Sequence, residues 1–239
     1  MSGMLFRDDP YMRAAESVVT AHTAEGGVVL EASLFYPQGG GQPGDSGQLH
    51  WDGATLDVAT TVKGADGAIV LVPAAEGALP PVGATVRQEL DWARRYRHMR
   101  VHTALHLLSV VLPHPVTGGQ IGAEKGRLDF ALAEPVEDKE ALAEALQALI
   151  ERDLPVTEDW ISDAELEANP ALVKTMSVAP PMGAGRVRLI RIGTGPDQVD
   201  LQPCGGTHVR STAEIGRIAI GKVEKKGAQN RRVNLLLAD

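Results

Sequence analysis

The chain changes its pattern abruptly at about residue 90, and this change limits the folds available to it more than any other feature. Before it, short segments rich in β-branched and apolar residues alternate with turns that contain glycine and proline, which is typical of β-strands. After it, residues 91–112 lack glycine and proline and carry apolar side chains at helical spacing. We therefore expect an α+β protein, with a small barrel-like β module over residues 1–90 and an α+β module over residues 91–239.

The first module is predicted to consist of short strands joined by turns. Leu56, Val58, Thr60 and Val62 alternate with positions that can face solvent, which is the period of a half-buried strand. The same pattern occurs in four further segments, which are residues 17–23, 28–35, 68–72 and 85–90. Strands at this spacing favour a small barrel or a sandwich.

The second module is predicted to mix helices with strands. Its first helix should end before Pro113, and residues 118–126 are predicted to form a loop. A second helix is expected over residues 135–152, and Ser162 with Glu165 has the spacing of a capping box for a short helix. Further strands are predicted at residues 127–132, 187–192, 198–201, 217–223 and 233–237.

Charge and cysteine content indicate the environment of the chain. The formal net charge is −8, but thirteen acidic residues against two basic ones fall within residues 129–167, and basic residues cluster elsewhere. Local basic patches can therefore still hold phosphates. One cysteine excludes an internal disulfide, no apolar run approaches the roughly 18 residues of a membrane span, and acidic residues stand where a signal peptide needs a basic region. We expect a cytoplasmic protein with no membrane partner.

Two pairs of metal-ligating residues lie about a hundred positions apart in the sequence. His102 and His106 are four residues apart on the predicted helix, so their side chains lie about 40° apart on one face. Cys204 and His208 flank two glycines that allow the backbone to fold tightly. Either pair alone is more often structural, but together they supply three imidazole nitrogens and one thiolate, which suits tetrahedral zinc. We predict one Zn²⁺ per chain at these four residues.

This set of ligands differs from the zinc sites of metalloproteases. No glutamate follows His102 to act as a general base, and four protein ligands leave no open position on a tetrahedral ion. A zinc ion here either positions substrate and backbone, or its ligand shell changes during the reaction. Both alternatives stay open at this point.

A glycine-rich run over residues 36–47 is the other unusual segment. Gly39, Gly41 and Gly44 formally match the dinucleotide-binding pattern GxGxxG, but Pro43 interrupts it and a strand rather than a helix follows. We therefore expect neither a dinucleotide nor ATP. The run is either an elaborate hairpin loop or a backbone ledge that approaches a substrate closely.

Taken together, these segments resemble one known family. The His-Thr-Ala-Leu-His segment at residues 102–106 and the Cys-Gly-Gly-Thr-His segment at residues 204–208 resemble the zinc-binding core of the alanyl-tRNA synthetase editing domain. The run at residues 36–47 is similar to the glycine motif of the freestanding, AlaX-type editing proteins of intermediate length. The resemblance extends over nearly the whole chain and includes residues 5–10, 119–120, 127–130 and 230–233.

The resemblance implies a hydrolase that removes a wrong amino acid from tRNA(Ala). The expected substrate is chiefly the serine ester, with the glycine ester second, because an alanine pocket cannot exclude glycine by size and discriminates poorly against serine. Thr103, Gln120 and Thr207 are the candidates for hydrogen bonds to the serine hydroxyl. Contacts with the tRNA are predicted for Gly39, Gly40, Gly41, Lys225, Lys226, Arg231 and Arg232, with Arg94 and Arg95 as second candidates.

Two other interpretations are open. One is a zinc-stabilised RNA-binding module without catalytic activity, which the closed set of four ligands favours. The other is editing of seryl-tRNA(Thr), because the editing domain of threonyl-tRNA synthetase shares the HxxxH and CxxxH spacing. The glycine motif and the two glycines between Cys204 and Thr207 favour alanine over threonine.

Overall fold

The computed structural model describes residues 2–136, 138–175 and 185–238. The chain divides into two compact units, Met1–Tyr96 and Arg97–Asp239, and the division falls within one long helix. Among the residues described, no helix is both long enough and apolar enough to cross a membrane.

The first unit is built around a closed barrel of six antiparallel strands, which pair in the order β2-β3-β7-β6-β5-β8 as defined next. The elements are, in chain order, β1 (Gly3–Met4), α1 (Leu5–Asp8), β2 (Ala14–His22), β3 (Val28–Leu30), β4 (Ala32–Ser33), β5 (Gly47–Trp51), β6 (Ala54–Lys63), a 3₁₀ turn (Ala65–Gly67), β7 (Ile69–Pro73) and β8 (Thr85–Leu90). Closure pairs every strand on both sides and leaves no open edge. The predicted barrel-like module is confirmed.

Alternating apolar side chains fill the barrel, as the strand pattern predicts. Leu30, Leu49, Leu71 and Val86 are completely buried and belong to one cluster of core residues. The segment predicted as a single strand over residues 28–35 is divided into β3 and β4, because β4 leaves the barrel and pairs in parallel with β1.

The predicted alternation in β6 is wrong after its first half. Leu56 and Val58 are buried as expected, but a β-bulge between Val58 and Thr60 shifts the pairing with β7. Thr61, rather than Thr60, is then completely buried, and its hydroxyl donates to the carbonyl of Asp45 at 3.0 Å. The sequence does not reveal the shift because threonine stands at both positions.

The second unit combines two antiparallel sheets with helices. Its elements are α2 (Trp92–Val111, shared with the first unit), β9 (Val116–Ile121), β10 (Lys125–Ala131), α3 (Lys139–Glu151), β11 (Val156–Ser162), α4 (Asp163–Ala168), β12 (Arg186–Ile192), β13 (Asp200–Pro203), β14 (Ile218–Lys225) and β15 (Asn230–Leu237), with 3₁₀ turns at Pro170–Leu172, Gly195–Asp197 and Thr212–Ile215. One sheet has the order β14-β15-β10-β9 and the other β11-β12-β13.

Two predicted boundaries in this unit are wrong and one capping motif is confirmed. Residues 118–126, predicted as a loop, include the end of β9 and the start of β10, which form a hairpin. Helix α3 begins after Asp138 rather than at Pro135, because the Asp138 carboxylate accepts a hydrogen bond from the first turn at 2.8 Å. Ser162 and Glu165 form the predicted capping box of α4.

Helix α2 packs closely on the four-stranded sheet at Gly126. A Cβ atom at this position would lie 2.6 Å from Val101 Cγ1 and 2.9 Å from Leu105 Cδ1. Glycine therefore permits a close approach that any side chain would prevent. Because Val101 and Leu105 directly precede His102 and His106, this contact also fixes the rotation of the helix face that carries the two histidines.

Candidate metal centre

The two predicted ligand pairs meet in the second unit. His102, His106, Cys204 and His208 each offer one ligand atom, and these atoms all lie within 4.8 Å of one another. The first pair is on α2 and the second is on the loop that follows β13. The three histidines are buried and the cysteine is half-buried. Three imidazole nitrogens and one thiol in this arrangement could hold a metal ion.

The distances within the cluster are those of a compact metal site. The Nε2 atoms of His102 and His208 lie 3.4 Å and 3.3 Å from the Sγ atom of Cys204. In a tetrahedral zinc site, metal–ligand bonds of about 2.0 Å to nitrogen and about 2.3 Å to sulfur place N and S about 3.5 Å apart. The residues present therefore fit a tetrahedral ion of the size of zinc.

The second ring nitrogen of His106 contacts a buried carboxylate. His106 Nδ1 lies 3.0 Å from Asp200 Oδ2, and Asp200 is 2% exposed. The same carboxylate accepts hydrogen bonds from Lys174 Nζ at 2.6 Å and from Gln202 Nε2 at 2.7 Å. A carboxylate that accepts from Nδ1–H leaves Nε2 of His106 as the atom that faces the cluster.

The second ring nitrogen of His208 contacts Thr103. His208 Nδ1 lies 3.1 Å from Thr103 Oγ1, which donates to the carbonyl of Met99 at 2.9 Å and accepts from the backbone N–H of Val209 at 3.3 Å. With Nδ1–H donating, the hydroxyl uses its one donor and both acceptor positions within the protein. This placement orients His208 and does not favour Thr103 as a partner of a substrate hydroxyl.

A buried arginine shapes the loop that carries Cys204. Arg188, on β12, is 6% exposed, and its Nη1 donates to the carbonyls of Cys204 at 3.0 Å and Gly206 at 2.8 Å. Its Nη2 pairs with Glu158 of β11. The backbone N–H of Gly206 donates to the Sγ atom at 3.5 Å. The loop conformation therefore depends on β12 as well as on its own glycines.

The electrostatics of the cluster favour a thiolate. Burial acts to raise the pKa of Cys204, but His102 and His208 outweigh it and lower that pKa well below its usual value. Burial and the neighbouring His102 lower the pKa of His208 well below its usual range. Burial also acts to lower the pKa of His106, but hydrogen bonds with Asp200 and Cys204 raise it to about 9. Metal binding would therefore release a proton from His106.

The residues that support the four candidate ligands carry little signal in the sequence. Asp200 carries the one signal that could have indicated it, because it is an acidic residue in a predicted strand four positions before Cys204. Lys174 and Arg188 carry no such signal. His98, one turn before His102 on α2 and 1% exposed, also went unnoticed.

The other two candidates for recognition of a serine hydroxyl lie on separate elements. Thr207 is 1% exposed and directly precedes His208 on the ligand loop. Gln120 is exposed near the end of β9, and its Oε1 accepts a hydrogen bond from Arg127 Nε at 3.2 Å. Of the two, Thr207 is adjacent to the ligands in sequence.

In the first unit, the glycine-rich run is a hairpin with an exposed tip. Gly40 and Gly41 have φ values of 56° and 80° and form a two-residue turn, closed by backbone hydrogen bonds between Gly39 and Gln42 at 2.9 Å and 3.1 Å. The Tyr36 hydroxyl donates to the carbonyl of Gly39 at 2.8 Å. Strand β5 follows the run, as predicted.

The two arginines predicted as secondary tRNA contacts hold this run in place. Arg95 is completely buried, donates to Asp45 through Nε at 2.9 Å and through Nη2, and donates to the carbonyl of Leu34 at 3.0 Å. Arg94 donates to the carbonyl of Gly44 at 2.8 Å. Neither placement favours a contact with phosphate.

The basic residues near the end of the chain do not form one patch. Arg231 is buried and Arg232 points to the opposite face of β15, where its Nε and Nη2 pair with Asp129 at 2.7 Å and 2.9 Å. Lys225 and Lys226 are exposed. The two lysines are therefore the most accessible of the predicted tRNA contacts in this segment.

Two models of known protein families match parts of this chain. The model described as threonyl and alanyl tRNA synthetase second additional domain matches residues 187–234, which include the Cys204–His208 loop. The model described as tRNA synthetases class II (A) matches residues 11–94. A barrel unit followed by a unit with a His-His-Cys-His cluster thus defines a protein of the synthetase editing-domain class.

Individual relatives narrow this class. The chain is 35% identical to the alanyl-tRNA editing protein AlaX-M of Methanosarcina acetivorans over 249 residues, and 35% identical to the AlaX-M of Methanosarcina barkeri over 248 residues, with both chains covered completely. It is 36% identical over 230 residues to the alanine–tRNA ligase of Pyrobaculum arsenaticum, of which it covers 25%. The chain belongs to the family of alanyl-tRNA editing proteins of the AlaX-M type.

Proposed function

We propose that this protein hydrolyses the ester that joins serine to tRNA(Ala), and secondarily the glycine ester, as a trans-editing deacylase of the cytoplasm. One Zn²⁺ would be held by His102, His106, Cys204 and His208. The observation that carries the proposal is the convergence of these four residues in a chain whose full-length relatives are named alanyl-tRNA editing proteins.

The chain's own groups are suited to hold zinc. The Nδ1 atoms of His106 and His208 contact Asp200 and Thr103, so their Nε2 atoms face the cluster, and the Sγ atom is in the environment of a thiolate. With all four donors bound, zinc would position the substrate and the backbone, and where the ligand shell expands or loses a ligand it would supply Lewis acidity that polarises a carbonyl or a water molecule. The burial of the three imidazoles keeps bulk water from the ligands and strengthens the electrostatic interactions between them.

Recognition of serine would rest on a hydrogen bond to its hydroxyl. A buried polar group that pairs with this hydroxyl stays unpaired when alanine is bound, which penalises the correct product. Thr207, which is buried and directly precedes His208, is the first candidate, and Gln120 near the end of β9 is the second.

Isosteric replacements test this assignment. Thr207→Val or Gln120→Leu should lower the ratio of seryl- to alanyl-tRNA(Ala) deacylation by about 3- to 10-fold, the value of one hydrogen bond. Thr103→Val is compared with them, because its hydroxyl orients His208, and it should slow both reactions together and leave their ratio unchanged. An unchanged ratio in both test variants would contradict the assignment.

Contacts with tRNA phosphates are proposed for Lys225 and Lys226, and a separate backbone contact with the tRNA is proposed for the exposed Gly40–Gly41 tip. Replacing both lysines with alanine should weaken tRNA binding and reduce the slope of log affinity against log salt by about 2. Lys139→Ala, an exposed lysine in the acidic segment, is the control. Equal slopes in the double variant and the control would contradict these contacts.

The activity itself is tested by deacylation at substoichiometric protein. Seryl-tRNA(Ala), glycyl-tRNA(Ala), alanyl-tRNA(Ala) and seryl-tRNA(Thr) are compared with and without a zinc chelator. We expect many turnovers on seryl-tRNA(Ala), little on alanyl-tRNA(Ala), and loss of turnover with chelator. Preferred hydrolysis of seryl-tRNA(Thr) would replace the alanine assignment, which is supported by the relatives that are alanyl-tRNA editing proteins over their full length.

A second candidate is a zinc-stabilised tRNA-binding module without catalytic activity. The observation that favours it is the set of four protein donors, which fills a tetrahedral shell. In the same assay this candidate predicts tight binding of tRNA with no turnover, and loss of the fold with chelator.

A further inference from the structure

We propose that Asp200 is a positioning residue of the metal centre, whose carboxylate holds the Nδ1–H of His106 and so directs Nε2 of that imidazole at the metal. The inference rests on the proposed function only for the presence of a metal at the cluster. It assigns a role to a residue outside the four ligands.

Asp200 is anchored from three directions. It lies at the start of β13, four residues before Cys204, and is 2% exposed. Its Oδ2 accepts hydrogen bonds from His106 Nδ1 at 3.0 Å and from Gln202 Nε2 at 2.7 Å, and its Oδ1 accepts one from Lys174 Nζ at 2.6 Å. A buried carboxylate is costly unless it is paired and hydrogen-bonded, and these donors meet that condition. Its position is therefore fixed before any ligand binds.

A fixed carboxylate determines which ring nitrogen of His106 carries the proton. An ionised carboxylate only accepts hydrogen bonds, so the nitrogen that faces Asp200 must be protonated, and the proton that His106 loses when a metal binds comes from the other nitrogen, whose lone pair then faces the ion. Rotation of the ring by half a turn would remove a donor from a buried carboxylate. Asp200 thus selects both the tautomer and the ring orientation that a metal ligand needs.

The contact at the neighbouring ligand shows the same arrangement with a weaker partner. His208 Nδ1 faces the neutral hydroxyl of Thr103 at 3.1 Å, whereas His106 Nδ1 faces a charged group. Charge-assisted hydrogen bonds are roughly twice as strong as neutral ones. The carboxylate should therefore contribute more to metal affinity than the hydroxyl, and Lys174 should contribute through the carboxylate that it holds.

Zinc affinity tests the proposal directly. Wild-type protein, Asp200→Asn, Lys174→Met and the control Asp197→Asn are compared by competition with a chromophoric chelator. Asp197 is a suitable control because its carboxylate pairs with Arg152 in an exposed ion pair. We expect zinc binding to be about 10- to 100-fold weaker in Asp200→Asn. In Lys174→Met it should be about threefold weaker or more, because the variant lacks the positive charge that holds the Asp200 carboxylate. Zinc affinity should not change in Asp197→Asn.

Two further readouts separate positioning from a general effect on the fold. At saturating Co²⁺, the visible absorption of Asp200→Asn should shift relative to wild type while far-ultraviolet circular dichroism stays the same. If Asp200→Asn does not fold, Lys174→Met carries the test, because Lys174 is partly exposed.

A zinc affinity of Asp200→Asn within twofold of the wild-type value would overturn the inference. If Asp200→Asn does not fold, an unchanged zinc affinity of Lys174→Met would overturn it. Deacylation by the wild-type protein is measured in parallel. Unchanged zinc affinity together with wild-type turnover would leave the proposed function in place, whereas wild-type protein that binds no zinc would overturn both.

Discussion

Replacing Arg95 with methionine should destabilise the first unit rather than weaken tRNA binding. The arginine side chain is completely buried, and its guanidinium donates to Asp45, to the carbonyl of Leu34 at 3.0 Å and to the carbonyl of Pro10 at 3.1 Å. Methionine is also long and unbranched but supplies no donor. The substitution therefore removes a charge and all of these hydrogen bonds together.

The expected cost follows from what the substitution leaves behind. The Asp45 carboxylate is 1% exposed and keeps the hydrogen bond from the Tyr36 N–H at 2.6 Å, but it loses its charged partner. Removing one member of a buried ion pair typically costs about 3–5 kcal/mol. We therefore expect a loss of about 4 kcal/mol in the free energy of unfolding of this unit, a large part of the ~5–15 kcal/mol of a typical domain.

Urea unfolding, followed by tryptophan fluorescence and circular dichroism, measures this loss by linear extrapolation. Arg87→Met is the matched control, because Arg87 forms an ion pair with Glu89 in which the side chains are 53% and 48% exposed. Such an exposed pair contributes less than about 1 kcal/mol. The structural role would be refuted if Arg95→Met lost no more free energy of unfolding than the control and its tRNA binding depended less on salt. Arg95 would then be a phosphate contact, as the sequence predicts.

Two further substitutions test the second unit. Asp129→Asn should lower its free energy of unfolding by about 1 kcal/mol at neutral pH, because the carboxylate, whose side chain is 14% exposed, accepts hydrogen bonds from Arg232 and Arg127, and solvent that still reaches the two arginines screens these bonds. Burial acts to raise the pKa of Asp129, but the two arginines outweigh it and hold that pKa below its usual value. The loss of stability caused by Asp129→Asn should therefore shrink as the pH falls below about 4. A loss that is independent of pH in urea unfolding would contradict this. Gly126→Val should cost about 1–3 kcal/mol or more, because its Cβ would lie 2.6 Å from Val101, and an unchanged thermal midpoint would show that α2 packs elsewhere.

The sequence predicts those parts of the fold in which local pattern and burial agree. The barrel strands alternate because one face fills a closed interior, and α2 lacks glycine and proline because it is one continuous helix. Strand β11 is missed because polar residues stand on both of its faces. Its Glu158 and Asp159 pair with Arg188 and Arg191 of β12, and this long-range pairing leaves no periodic signal along the strand itself.

Some residues of the candidate site can likewise be predicted from local sequence and others cannot. The four candidate ligand positions are predictable because chemistry fixes both the residue types and their spacing on a helix and in a glycine loop. Their supporting partners come from separate segments, so Lys174 and Arg188 can be found only in three dimensions. The burial of Arg95 cannot be recognised in the sequence for a related reason. Beside Arg94 and Arg97 it has the sequence pattern of an exposed basic cluster, and only its pairing with Asp45 places it in the interior.

Titration of metal-free protein with zinc during multiple-turnover hydrolysis of seryl-tRNA(Ala) tests the central proposal most directly. We expect the rate to rise with added zinc and to reach a plateau at one ion per chain, because the described residues offer one cluster of four donors that could hold a metal ion. Full turnover in the metal-free protein, or no turnover at any zinc concentration with correctly folded protein, would contradict it.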